Sequence, residues 1–209
     1  MIVDLSFFFS PKNYSEEKLM VRIIIAGIVG GIVMFAWGAV SHMFLGVGEA
    51  GVQNLPNEEA VIACMKQNIP NAGLYFAPGM DMTRSPTAEE AAAWSAKYEA
   101  GPNVFLVYRP VGITPMSPRQ LGYELLSNIF AAIVGAFILS FTIPSIGRRV
   151  ILAAAIGVAA WLSINVSYWD WYRFPANFVA SELVEQVIGW GLSGAAMAFV
   201  LRSKSSSLG

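Results

Sequence analysis

The chain has 209 residues, 56% of them hydrophobic and only 13% charged, with 13 basic and 14 acidic side chains that leave a net charge of −1. A balance so close to zero provides no basic stripe for nucleic acid. One cysteine and one histidine exclude an internal disulfide, a CxxC redox or zinc motif, a bis-histidine haem and a multi-histidine metal centre.

Residues 1–20 read as a cytoplasmic or interfacial segment, in which Phe7, Phe8 and Phe9 ahead of Pro11 suit the headgroup region. A first membrane span is predicted over residues 21–46, because a hydrocarbon core of about 30 Å needs roughly 20 apolar helical residues. Its apolar run exceeds the roughly 7 to 15 residues of a cleaved signal. Gly27 and Gly31 stand at GxxxG spacing, which suits a packed helix, so this span is expected to be retained.

Residues 47–119 carry too much charge and proline for lipid and are expected to form a small α/β module. Asn57 is placed as the cap of a helix whose Ala60, Val61, Cys64 and Met65 recur on one face until Pro70 ends it. Cys64 is expected there as a small buried hydrophobe. Residues 74–77 read as a strand. Thr87 and Glu90 make a capping box that opens a second helix through Glu99, with Trp94 and Tyr98 stacked four apart. Residues 104–108, rich in β-branched and aromatic types, read as the second strand. So small a module buries little area alone. Ser117, Pro118 and Gln120 then form a capping box that starts the next span directly, so module and bundle are expected to behave as one unit.

Three further spans are predicted over residues 120–143, 150–169 and 177–201, followed by a polar cytoplasmic tail over residues 202–209. The fold class is therefore mainly α: a four-helix transmembrane bundle with a small extracytoplasmic α/β insertion between its first two helices. Orientation follows from the basic residues. Lys12, Lys18, Arg22, Arg148, Arg149, Arg202 and Lys204 flank the spans on one side. Only Arg119 and Arg173 do so on the other, which predicts cytoplasmic termini and an extracytoplasmic insertion.

Small residues repeat four apart as Gly27 with Gly31, Ala131 with Gly135, Ala153 with Gly157, and Gly191 with Ala195, a spacing that lets helix backbones approach closely in lipid. All lie toward the middle or the cytoplasmic half. The outer half carries polar residues instead. Glu182, Glu185, Gln186, Gly189 and Ser193 share a face of the last span, and Glu124 with Asn128 share a face of the second. A carboxylate facing lipid is costly, so these faces, with His42 and Asn165, are expected to point inward or into a wet cavity. They form either a polar pocket for a ligand, ion or proton, or interhelical hydrogen bonds where the insertion joins the bundle.

His42 suits packing and hydrogen bonding, and a single-histidine pigment or quinone contact is the one cofactor contact open to it; no cofactor or metal is expected. Between the last two spans, Trp169, Asp170, Trp171, Tyr172 and Arg173 read either as an aromatic belt at the membrane surface or as a docking edge. Asp170 and Arg173 are candidates to pair with each other or to anchor the insertion.

The strings Tyr168-Trp169-Asp170-Trp171, Trp37-Gly38, Ser41-His42, Leu55-Pro56-Asn57-Glu58, Pro78-Gly79-Met80, Tyr108-Arg109-Pro110 and Gly189-Trp190 resemble a group of uncharacterised bacterial four-helix membrane proteins with an extracytoplasmic insert. The resemblance spans residues 23–201. It implies the topology above and a bacterial inner-membrane setting, and brings no activity or catalytic residues.

Three functional classes follow. The leading one is a non-enzymatic accessory or scaffold subunit, partnered by the lipid bilayer and by other membrane subunits or copies of itself. A second is a small-molecule binder or transporter using the outer pocket, although no inverted repeat or proline-broken helix pair favours transport. The third is a membrane enzyme with Glu182 or Glu185 as general base and His42 as its partner.

Overall fold

The computed structural model describes residues 11–81, 83–142 and 145–202, with side chains from residue 16 onward. The reading of Phe7, Phe8 and Phe9, and the tail beyond Arg202, lie outside the described residues. Nine segments follow in order: α1 (Pro11–Val40) running into a π-helical turn (Ser41–Leu45), α2 (Glu58–Asn68), β1 (Gly73–Ala77), α3 (Ala88–Ala100), β2 (Val104–Tyr108), α4 (Pro118–Ser140), α5 (Ile146–Tyr172) and α6 (Ala176–Val200). Four helical stretches, Glu16–Leu45, Pro118–Ser140, Ile146–Tyr172 and Ala176–Val200, are long and apolar enough to cross a membrane.

The chain divides into two compact units, residues 1–52 with 116–209, and residues 53–115. The small module closes its own sheet and aromatic cluster.

In the helical unit, α1 covers Pro11–Val40, so residues 11–20 belong to the first helix instead of forming a separate segment. α4 starts where Ser117 Oγ accepts from the Gln120 N–H at 3.3 Å, with Pro118 in the first turn. α5 runs beyond its expected bounds at both ends. Its last turn is the Trp169 to Tyr172 string, and the connection to α6 shrinks to residues 173–175. Arg173 closes α5 in the left-handed conformation (φ 59°), and the Phe174 N–H returns to the Tyr168 carbonyl at 3.3 Å, the wrap that satisfies a helix's last carbonyls.

Packing runs from α4 to α1 to α6 to α5, with α4 touching α5 and α6 only lightly. Glycine makes the close approaches. A Cβ on Gly27 would stand 2.5 Å from Ile133 Cα, and one on Gly31 would stand 2.6 Å from Ile129 N, so α1 and α4 meet backbone to backbone. Between α5 and α6, a Cβ on Gly157 would stand 2.5 Å from the Gln186 carbonyl oxygen, while Gly194 abuts Ala153. Gly191 has open space beside it. The close-packed pair on α6 is thus Gly194 with Ala198, since two small-residue spacings overlap there and only helix phase separates them. Ile23, Ala26, Ala132, Ala136, Leu139, Ala153, Met197 and Leu201 form the buried core at one end of the bundle.

In the small unit, β1 and β2 pair antiparallel, with Tyr75 opposite Leu106 at the centre of the register. Thr87 and Glu90 complete a capping box at the start of α3. Trp94 stacks on Tyr98 at 5.1 Å and donates from its indole N–H to the Pro78 carbonyl at 3.0 Å, fastening α3 to the end of β1. Two expectations are corrected here. Asn57 precedes α2 with φ 50° and makes no side-chain cap bond. Cys64 is exposed, because α2 buries none of its residues.

Candidate functional site

At the end of the helical unit opposite that core lies a cavity of about 450 Å³. α1 contributes Met34 and Trp37, the π turn that follows it contributes His42, α4 contributes Leu121, Glu124 and Asn128, and α6 contributes Glu182, Glu185, Gln186 and Trp190. The light contact between α4 and α6 explains the opening. α1 packs on both helices and bridges them.

Trp190 makes the floor. It is 9% exposed, and a Cβ on Gly135 of α4 or Gly157 of α5 would fall 2.7 Å or 2.9 Å from its ring, so both glycines admit the indole. Above it, Glu182, Glu185, Gln186 and Gly189 occupy positions i, i+3, i+4 and i+7, one face of α6 by helical geometry. Gly189 leaves room for Trp37, whose Cδ1 would lie 3.1 Å from an added Cβ. Trp37 Nε1 and Glu185 Oε1 are buried and unpartnered. They are neighbours without hydrogen-bond geometry, and His42 and Glu182 also stand within electrostatic reach of Glu185. A buried carboxylate oxygen and a buried indole N–H left open beside a cavity are groups that a guest can satisfy.

Across the cavity, Asn128 Nδ2 donates to Glu124 Oε1 at 3.3 Å, fixing that carboxylate one turn away on the same face. His42 sits in the π turn, where the Ser41 carbonyl accepts from both the Gly46 and Val47 N–H groups. Such turns widen the helix and recur at functional sites. The imidazole lies against Gly48, where any side chain would collide with the ring, and its Nδ1 is 3.4 Å from Glu49 Oε1. Gly51, at φ 87°, lays the same loop on Asn177 and Phe178 at the start of α6.

Six of the seven residues expected to share a polar cluster therefore line one cavity: His42, Glu124, Asn128, Glu182, Glu185 and Gln186. Asn165 does not, because α5 supplies no wall. The pairing of His42 with Glu49, the apolar wall of Met34 and Leu121, and the Trp190 floor were missed. A loop acid seven residues after the histidine carries no helical periodicity to mark it, and Trp190 resembles any other core tryptophan until Gly135 and Gly157 are known to face it. Among the described residues no group of three or more His, Cys, Asp or Glu side chains could hold a metal ion.

At the same end of the unit, Tyr168, Phe174 and Phe178 form a ladder, stacked at 5.3 Å and then tilted at 5.5 Å. Trp169 and Trp171 point away from it and are 50% and 71% exposed. Asp170 and Arg173 make no ion pair with each other among the described residues. Arg173 has left the helix, and its left-handed backbone turns the side chain off the α5 face that bears Asp170.

Comparison of the chain with protein-family models, with curated proteins and with solved structures gives no match.

Proposed function

We propose that this is a multi-pass protein of a bacterial inner membrane that binds a small organic cation in the cavity between α1, α4 and α6. The carrying observation is the cavity itself, beside which Glu185 holds a buried carboxylate oxygen, Oε1, that no side chain meets in full hydrogen-bond geometry. Three carboxyl groups, Glu124, Glu182 and Glu185, face it against one imidazole, and that imidazole already has Glu49. Trp37, Phe35 and Trp190 add aromatic faces, which attract a cation over the ring. A mostly apolar pocket with a few converging polar groups is the usual form of a small-molecule site. Basic residues clustered at the opposite ends of the spans support an orientation with cytoplasmic termini, the segment over residues 53–115 outside, and the cavity in the outer half of the bilayer.

Tetraphenylphosphonium, a lipophilic cation, tests this reading by calorimetry on the full chain in detergent. Saturable binding is expected, with Glu185→Gln weakening it about tenfold, equivalent to about 1.4 kcal/mol. Absence of binding, or undiminished affinity in both Glu185→Gln and Glu182→Gln, would reject the cation site.

A second reading, an accessory subunit of a larger membrane assembly, is favoured by the exposed Trp169 and Trp171 edge, since tryptophan and tyrosine dominate interface hot spots. The two readings are compatible, because the edge belongs to α5 and the cavity to α1, α4 and α6.

A further inference from the structure

At the other end of the bundle, Arg149 is the one guanidinium buried among the described residues, 4% exposed, with Nε and Nη1 unpartnered. It shares a buried face of α5 with Ala153 and Gly157, and its own carbonyl lies against Gly194 of α6. Among the described residues, neither α4 nor α6 brings an acid to this end of the bundle. α4 beyond Glu124 and α6 beyond Glu185 contain none, and Glu16 and Glu17 of α1 are exposed. A buried cation without a counter-ion is costly, so such a group is retained where something anionic meets it.

The start of α5 offers the rest of an anion site. Ser145 caps the helix without a side-chain hydrogen bond, and no acidic residue occupies the first turn. The N–H groups of Ile146, Gly147 and Arg148 precede the first intrahelical bond, which runs from the Arg149 N–H to the Ser145 carbonyl at 3.1 Å. Helix N-termini bind anions through these free donors and the helix dipole. Side chains lean toward the N-terminus of their own helix, which aims Arg149 back at this turn. Gly147 has nothing within 4 Å of where a Cβ would stand, and Arg148 is exposed, so the turn is open on its outer side. As the end of a membrane-spanning helix, it also lies at headgroup depth.

We infer that the first turn of α5, with Arg148 and Arg149, binds a phosphate group at the membrane surface. The phosphate belongs either to an anionic phospholipid headgroup or to a soluble phosphate. The site is separate from the cation cavity and stands or falls independently of it.

Native mass spectrometry of the delipidated full chain tests the inference with three probes: phosphatidylglycerol, phosphatidylcholine and inorganic phosphate. Retention of phosphatidylglycerol about tenfold above phosphatidylcholine identifies a lipid source, and binding of inorganic phosphate identifies a soluble one. Arg149→Gln should weaken either by about tenfold. Because a change at a buried residue can unfold the chain, Gly147→Glu provides the second variant. It stands in open space, and an acid in a first helical turn favours the helix, yet its carboxylate repels a bound phosphate. Loss of binding in Gly147→Glu with thermal unfolding unchanged supports the site. Equal binding of phosphatidylglycerol and phosphatidylcholine together with no binding of inorganic phosphate, or undiminished binding in both variants, overturns it.

Discussion

Glu90 does more for the small unit than an exposed carboxylate usually does, because its two oxygens are taken from separate directions. Arg84 approaches Oε1 at 2.6 Å and Oε2 at 2.9 Å, and the Thr87 N–H donates to Oε2 at 2.9 Å. The guanidinium first, and the capping N–H second, hold the carboxyl down at about 2, below the ordinary glutamate value of 4.5. A carboxyl whose folded value is depressed stabilises the fold above its unfolded value, and that contribution is lost as pH falls toward the folded one. Protection of the first turn of α3 should therefore decline as pH drops from 4.5 toward about 2. Hydrogen exchange at the Thr87 and Glu90 amides of the full chain, corrected for intrinsic rate, measures it. Glu90→Gln should flatten that pH dependence, and Thr87→Ala should cost about 1 kcal/mol at neutral pH, the usual worth of a helix cap. An unchanged profile in Glu90→Gln would show that the box is geometric only.

Among elements, the α1 and α4 pair depends most on the absence of side chains. Gly27 and Gly31 face the backbone of Ile133 and Ile129, so nothing flexible can give way. Gly31→Val should force the helices apart and cost about 1–3 kcal/mol, the usual range for overpacking. Gly191→Val, at a position with open space, should be close to neutral. Unfolding in mixed micelles measures both, and equal losses would mean that Gly31 acts through helix propensity instead. This contrast also shows what was legible in the sequence. The four long apolar helices, the capping box at Thr87 and both strands followed from local periodicity and turn chemistry, although α1 and α5 run beyond their expected ends. The GxxxG spacing on α1 likewise identified the residues that pack. On α6 the same rule allowed Gly191 with Ala195 as readily as Gly194 with Ala198, and helix phase, a property of the neighbours, decided between them. The polar residues His42, Glu124, Asn128, Glu182, Glu185 and Gln186 were legible as a cluster because intramembrane charge is rare. Their cavity depends on α4 and α6 touching only lightly while α1 packs on both, and no single segment encodes that. Cys64 failed for a related reason: its helix has an apolar pattern, but α2 finds no surface on which to bury it.

At the scale of the whole molecule, the exposed Cys64 becomes a reporter of topology. It is the chain's only cysteine and sits on α2, within the unit over residues 53–115. Three groups of basic residues, Lys18 with Arg22, Arg148 with Arg149, and Arg202, lie at or near the ends of spans that alternate in direction. Lys and Arg close to span ends are retained on the cytoplasmic side, so the proposed orientation puts Cys64 outside. A membrane-impermeant maleimide should then label Cys64 in intact bacterial spheroplasts to the same extent as after permeabilisation. Its neighbour Asn68 donates to the Cys64 carbonyl at 2.8 Å and reaches Sγ at 3.6 Å, which leaves the thiol accessible. Changing Arg148 and Arg149 together to Asn would remove one of the three basic groups while leaving the small unit untouched. If the charge at span ends sets the orientation, a fraction of chains should then escape labelling until the membrane is opened. Labelling of the unaltered chain only after permeabilisation would reverse the proposed orientation and turn the cation cavity toward the cytoplasm.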